Sequence, residues 1–141
     1  MKYVVDASVA VTWLLGEANA DKAEQLFQDA RLGTAELVAP EFFVAECGHA
    51  LFRAERKKLI DTGDARELLK TLTADLPKLV LTIPLASRAG AICQYLRKSF
   101  YDCLYMALAE REQVQLITAD IKLVKAAQPD YPFVIDLASL S

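Results

Sequence analysis

Along the chain, short blocks of consecutive apolar residues alternate with stretches whose apolar positions recur at helical spacing. KYVV (2–5), ELVA (36–39), LVLTI (79–83), QLIT (115–118) and FVI (133–135) are expected strands. Between them the pattern predicts helices over 7–15, 19–31, 41–58, 61–75, 84–96, 99–112 and 121–128. Gly16 and Gly33 follow the first two helices, where a left-handed stop is favoured. Pro40 and Pro84 are expected to open the third and fifth, since proline suits the first helical turn. Gly63 is expected to interrupt the fourth. Strands separated by helices argue for an α/β fold, with a parallel sheet covered on both faces. In such sheets ligands bind beyond the carboxyl ends of the strands, which directs attention to the residues that follow each strand.

Four acids stand in such places. Asp6 follows KYVV, and Asp120 lies two residues beyond QLIT. Each also suits a helix N-cap. Asp102 sits three residues after Ser99, a capping-box spacing with Asp in the place of the commoner Glu. Glu46 has no such ordinary role. It lies inside PEFFVAECGHALF on the edge of the apolar stripe, on the side of Phe42, His49 and Arg53. An ion pair with Arg53 or a contact with His49 is its structural alternative, because a half-buried carboxylate is costly unless paired or metal-bound. One acidic cluster on one rim of the sheet is more economical than four separate roles. Close carboxylates repel and raise one another's pKa values. A hard divalent cation, Mg²⁺ or Mn²⁺, relieves that repulsion through oxygen ligands, and suits hydrolysis of a phosphodiester.

Composition narrows the classes. The 141 residues are 54% apolar and 25% charged, with a formal net charge of −3. That is an ordinary globular composition, expected to form a single domain over 1–141. A mildly acidic chain gives no general attraction to nucleic acid, so a polyanion needs local cations. Arg53, Arg56, Arg97, Lys98 and Lys122 are candidates for backbone contacts; solvated helix ends are the alternative. Cys47, Cys93 and Cys103 are odd in number without a CxxC pair, and His49 is the single histidine. Reduced core thiols are expected rather than a zinc site. The start, MKYVVDASVAVTWLLGEANA, superficially resembles a signal peptide, but Asp6 and Thr12 break the apolar run. No run reaches the roughly 18 apolar residues of a membrane span, so a cytoplasmic protein without membrane association is expected.

VVDAS at the start, PEFFVAECGHAL, SFYDCLYMALAE and LITADIKLV, in that order, resemble the PIN-domain nucleases. The resemblance is closer still to VapC-type ribonuclease toxins of type II toxin–antitoxin pairs, and it spans essentially the whole chain. It implies a three-layer α/β/α sandwich around a parallel sheet of about five strands. It implies that Asp6, Glu46, Asp102 and Asp120 are the catalytic quartet holding Mg²⁺ or Mn²⁺, with Asp6 and Asp102 the most direct ligands. Ser8 and Thr118 match polar positions that support the first and last acids. Expected partners are an RNA substrate, a cognate antitoxin protein and a second copy in a homodimer.

One departure is His49, where related chains often carry asparagine. A satisfied, partly buried histidine is expected there. Trp13, Tyr101 and Tyr105 are candidate base-stacking platforms, with core or dimer interface the alternative for Trp13. Two other functions compete: a housekeeping PIN nuclease of RNA maturation, and a non-catalytic PIN-like binding module. A haloacid-dehalogenase-type phosphatase would want an aspartate at Ser8.

Overall fold

The computed structural model describes residues 1–141. Its strands are β1 (Lys2–Val5), β2 (Glu36–Pro40), β3 (Lys78–Val80), β4 (Gln115–Thr118) and β5 (Val134–Asp136). They form one parallel sheet in the order β3-β2-β1-β4-β5. The helices are α1 (Ala7–Leu15), α2 (Ala20–Arg31), α3 (Phe43–Arg56), α4 (Asp64–Thr73), α5 (Ala86–Leu96), α6 (Phe100–Glu112) and α7 (Ile121–Ala127). This is the expected α/β class, three layers about a five-stranded parallel sheet. Right-handed crossovers assign the helices after β1 and β2 to one face, and those after β3 and β4 to the other.

The central strands are the most apolar because they are covered twice. Val4 and Val5 of β1 and Leu116 and Ile117 of β4 are completely buried. Their pairing, Val4 with Leu116 and Val5 with Ile117, places the two carboxyl ends side by side. From β1 the chain moves out to β2 and β3, whereas β4 leads to β5 on the opposite side. The β1–β4 seam is therefore the switch point at which a crevice opens.

α6 crosses β1, β2 and β4 and packs beside α5. It is buried continuously from Cys103 to Ala109, as befits a helix apolar all round. Ser99 caps it, accepting the Asp102 amide at 3.1 Å. Gly16 (φ 66°) ends α1 in the left-handed conformation expected of it.

Three expectations need correction. Pro40 does not open a helix but is the last residue of β2. The β1 side of β2 pairs only as far as Val38, and the Glu41 amide makes the next bond, to the Val80 carbonyl at 2.8 Å. No ladder bond there requires the N–H that proline lacks. Gly63 (φ 95°) precedes α4 rather than interrupting it, and Glu55 Oε1 accepts its amide at 2.8 Å. β3 stops at Val80, and Pro84 lies in a short 3₁₀ turn, Ile83–Leu85, before α5. As an edge strand with exposed Leu79, β3 has a sheet neighbour on one side only.

Candidate functional site

At the β1–β4 seam the chain turns from strand to helix twice within hydrogen-bonding reach. Asp6 follows β1 directly and caps α1 with extended backbone (φ −89°, ψ 172°). It is only 5% exposed. Its Oδ1 accepts the Ser8 amide at 3.0 Å and the Ser8 hydroxyl, while Oδ2 accepts the Thr118 hydroxyl at 2.6 Å. Thr118, fully buried at the end of β4, also accepts the Asp120 amide at 3.0 Å. Ser8 Oγ accepts the Ala119 amide at 2.9 Å. Two hydroxyl side chains thus lace the ends of β1 and β4 together around one carboxylate.

Asp120 caps α7, its Oδ1 accepting the amides of Lys122 at 3.0 Å and Leu123 at 3.3 Å. Asp102 occupies the first turn of α6. Glu46, early in α3, accepts the Tyr105 hydroxyl at 2.8 Å. The capping roles and the cluster coexist, since all four acids line one pocket of about 150 Å³ with Ala7, Ser8 and Tyr105.

Burial is the main cause of the site's altered acidity. It pushes the Asp6 carboxyl up to about 7, against the hydroxyls of Ser8 and Thr118, with further upward pressure from Asp102 and Glu46. Burial also raises Glu46, opposed by the Tyr105 hydroxyl and reinforced by Asp102. Asp102 is raised by burial, opposed by Ser99, raised again by Asp120 and lowered by Lys98. These are the signs of a site that favours added positive charge.

The donor set fits a hard divalent cation: only carboxylate and hydroxyl oxygens, with no thiol or imidazole in the pocket. Glu46 Oε2 and Asp120 Oδ2 accept no hydrogen bond, and Asp6 Oδ2, which accepts one, retains a lone pair. No three acids stand as a closed cage.

All six residues expected at the site, Asp6, Ser8, Glu46, Asp102, Thr118 and Asp120, come together here. Ser8 and Thr118 both act on Asp6, and Thr118 reaches Asp120 as well. Arg53 forms no ion pair with Glu46; Tyr105 takes that place. Tyr105 as a partner of Glu46 was not anticipated, because a contact between α3 and α6 leaves no mark in local spacing.

His49 is the clearest correction. It is exposed and forms no hydrogen bond, lying on the outer face of α3 while Cys47 and Leu51 of the same stretch are completely buried. Trp13 stacks on Phe27 with ring centroids 4.8 Å apart and belongs with the core. Tyr105 is buried as well, leaving Tyr101 as the exposed member of the three aromatic candidates. Cys47, Cys93 and Cys103 are free thiols. Arg53, Arg56, Arg97 and Lys122 are exposed, and neither they nor the half-buried Lys98 enter an ion pair. No helix is long and apolar enough to cross a membrane.

Residues 3–129 match the PIN domain family model. VapC ribonuclease Mb0985 of Mycobacterium bovis is 32% identical over 132 residues, covering 94% of this chain and 96% of that protein. Ribonuclease VapC1 of Mycobacterium tuberculosis is 36% identical over 137 residues, with 95% and 96% covered. Among solved structures, PAE2754 from Pyrobaculum aerophilum is similar with a TM-score of 0.71 at 23% identity, over 99% of this chain and 94% of its own. VapBC2 from Rickettsia felis, bound to a DNA fragment from its promoter, gives a TM-score of 0.64 at 16% identity over 96% and 97%.

Proposed function

We propose, for a chain that belongs to the PIN-domain family, that it is a metal-dependent endoribonuclease of the VapC kind and the toxin of a type II toxin–antitoxin pair. The observation that carries this reading is the convergence of Asp6, Glu46, Asp102 and Asp120, from four separate elements, on one pocket at the β1–β4 seam. The relatives named as VapC ribonucleases support it over nearly their whole length.

Asp6, Asp102, Glu46 and Asp120 would hold Mg²⁺ or Mn²⁺, which when bound supplies Lewis acidity for phosphodiester hydrolysis by water. The chain's own residues prepare that site. Ser8 and Thr118 fix both oxygens of Asp6, so its carboxylate cannot rotate freely. Tyr105 fixes one oxygen of Glu46 and leaves the other without a partner. With its acidity near neutrality, Asp6 retains a proton on part of the population at pH 7. Cation binding therefore displaces protons. No side-chain nucleophile is needed, since water is the attacking group in this reading.

The unpaired cations Arg53, Arg56, Arg97, Lys98 and Lys122 would hold the RNA backbone. We further infer a single functional domain over 1–141, a homodimer, and action in the cytoplasm. An antitoxin partner is inferred from the VapC relatives and the VapBC2 neighbour.

The test is RNA cleavage by the purified chain, freed of antitoxin, with Mg²⁺ or Mn²⁺ and with EDTA, beside an Asp102→Asn variant. Metal-dependent cleavage that vanishes in the variant is expected. Cleavage that survives both EDTA and Asp102→Asn would remove the reading.

A further inference from the structure

Next to the acidic pocket lies a second cavity of about 300 Å³, lined by Phe42, Ala45, Glu46, His49 and Tyr101. The two share Glu46 as a common wall. Tyr101 is adjacent in sequence to Asp102, so the start of α6 contributes to both. Tyr101 is 54% exposed. It meets Phe42 edge-on at 5.0 Å, and Phe42 in turn meets the buried Tyr105 edge-on at 5.3 Å. The outer ring thus rests on a fixed aromatic column whose inner end holds Glu46.

We propose that this cavity is a nucleobase subsite, in which Tyr101 stacks one unpaired base of the RNA next to the phosphodiester held at the acids. The proposal rests on the nuclease reading above. The cavity adjoins the phosphate position, as the short link between a nucleotide's phosphate and its base requires. An exposed aromatic face is the platform on which any base stacks. Exposed His49 lines the cavity with no hydrogen-bond partner in the chain, so its ring nitrogens are uncommitted. The polar fringe of His49 and Glu46 suits the heteroatom edge of a base better than an aliphatic protein side chain. A base seated there is unstacked from its neighbours, so that nucleotide belongs to a single strand or loop.

The experiment uses single-stranded oligoribonucleotides that the wild type cleaves, with an abasic nucleotide placed at each position around the cleaved bond in turn. One position is expected to raise KM roughly tenfold, the size expected when one base no longer stacks. Tyr101→Ala should raise KM for the intact oligonucleotide by a similar factor, and Tyr101→Phe should not. The abasic substitution at that position should cost Tyr101→Ala nothing further, the signature of a direct pair. Penalties that multiply, or a KM unchanged in Tyr101→Ala, would overturn the subsite while leaving the nuclease reading intact. An unchanged KM with altered sedimentation would assign the cavity to a protein contact and overturn it equally. If the wild type cleaves no RNA with either metal, the nuclease reading fails and the subsite falls with it.

Discussion

The Tyr105 hydroxyl donates to Oε1 of Glu46 at 2.8 Å, joining α6 to α3 across 59 residues of chain. Tyr105 is 1% exposed, and burial beside Glu46 pushes its phenol far up, so it remains a donor throughout the physiological range. A carboxylate early in an otherwise apolar helix face is thereby held at the pocket wall without a neutralising cation from the protein.

Tyr105→Phe removes that donor and keeps the ring against Phe42. Losing the donor from a half-buried carboxylate is expected to cost about 1–3 kcal/mol of stability. Partners that orient ligands commonly matter more to function than to folding, so cleavage should fall by roughly 10–100-fold. Glu46→Gln should fold and lose most activity. Denaturant melts beside cleavage rates decide the matter. A Tyr105→Phe protein with full activity would show that Glu46 needs no fixing, and a Glu46→Gln protein that unfolds would make Glu46 structural.

Thr118→Val is nearly isosteric and strips two hydrogen bonds at once, one to Asp6 and one from the Asp120 amide. The Asp6 bond favours the ionised carboxylate, so its loss destabilises the folded state most where Asp6 is charged. The stability difference from wild type should therefore be larger at pH 8 than at pH 5. Equal losses at both would mean that the Thr118 hydroxyl does not support the Asp6 charge.

The cations without carboxylate partners are tested through salt. Neutralising Arg97 and Lys98 together should weaken RNA binding. It should also reduce the dependence on salt concentration, by roughly one unit of slope for each phosphate no longer neutralised. The Lys98 charge pulls the carboxyl of Asp102 down and favours its ionised form, so binding is better measured in EDTA, where metal coordination does not enter. An unchanged slope would place the RNA backbone elsewhere.

What the sequence makes legible follows from how local each cause is. KYVV and QLIT are read to the residue because strands covered on both faces have consecutive apolar residues at their centre. Asp6 and Asp120 are read as rim residues because their place depends only on where those strands end. LVLTI is as apolar but lies at the sheet edge, and only its first two residues, Leu79 and Val80, pair. Pro40 looks like a helix opener because nothing local reveals that β1 stops pairing two residues earlier. The partner of Glu46 and the exposure of His49 depend on how α3 meets α6, a tertiary relationship that periodicity does not encode. The four acids are thus legible as a group, each alone having a capping or ion-pair alternative, whereas their hydrogen-bond support becomes visible only in the folded chain.

The acidity of Asp6 makes a prediction about stability. An aspartate whose carboxyl rises from 3.8 when unfolded to about 7 when folded binds more protons in the folded state between those values. Stability is then complete below about pH 4, falls as pH rises through the window, and levels off above 7. Glu46 and Asp102 are shifted in the same direction and add to the slope. Glu41, Glu110 and Glu112 are lowered from 4.5, so their opposite contribution is made at lower pH. In EDTA the melting temperature should therefore fall between pH 5 and 7.5. Mn²⁺ binds the ionised acids of the folded chain, and at a hundred times its Kd it should restore about 2.7 kcal/mol by mass action. Because protons compete for the same oxygens, that gain should be small at pH 5 and large at pH 7.5. Asp6→Asn should flatten the EDTA profile and lose most of the Mn²⁺ increment. A wild-type melting temperature indifferent to millimolar Mn²⁺ at pH 7.5 would dismiss the four acids as a metal centre, whatever else they do for the fold.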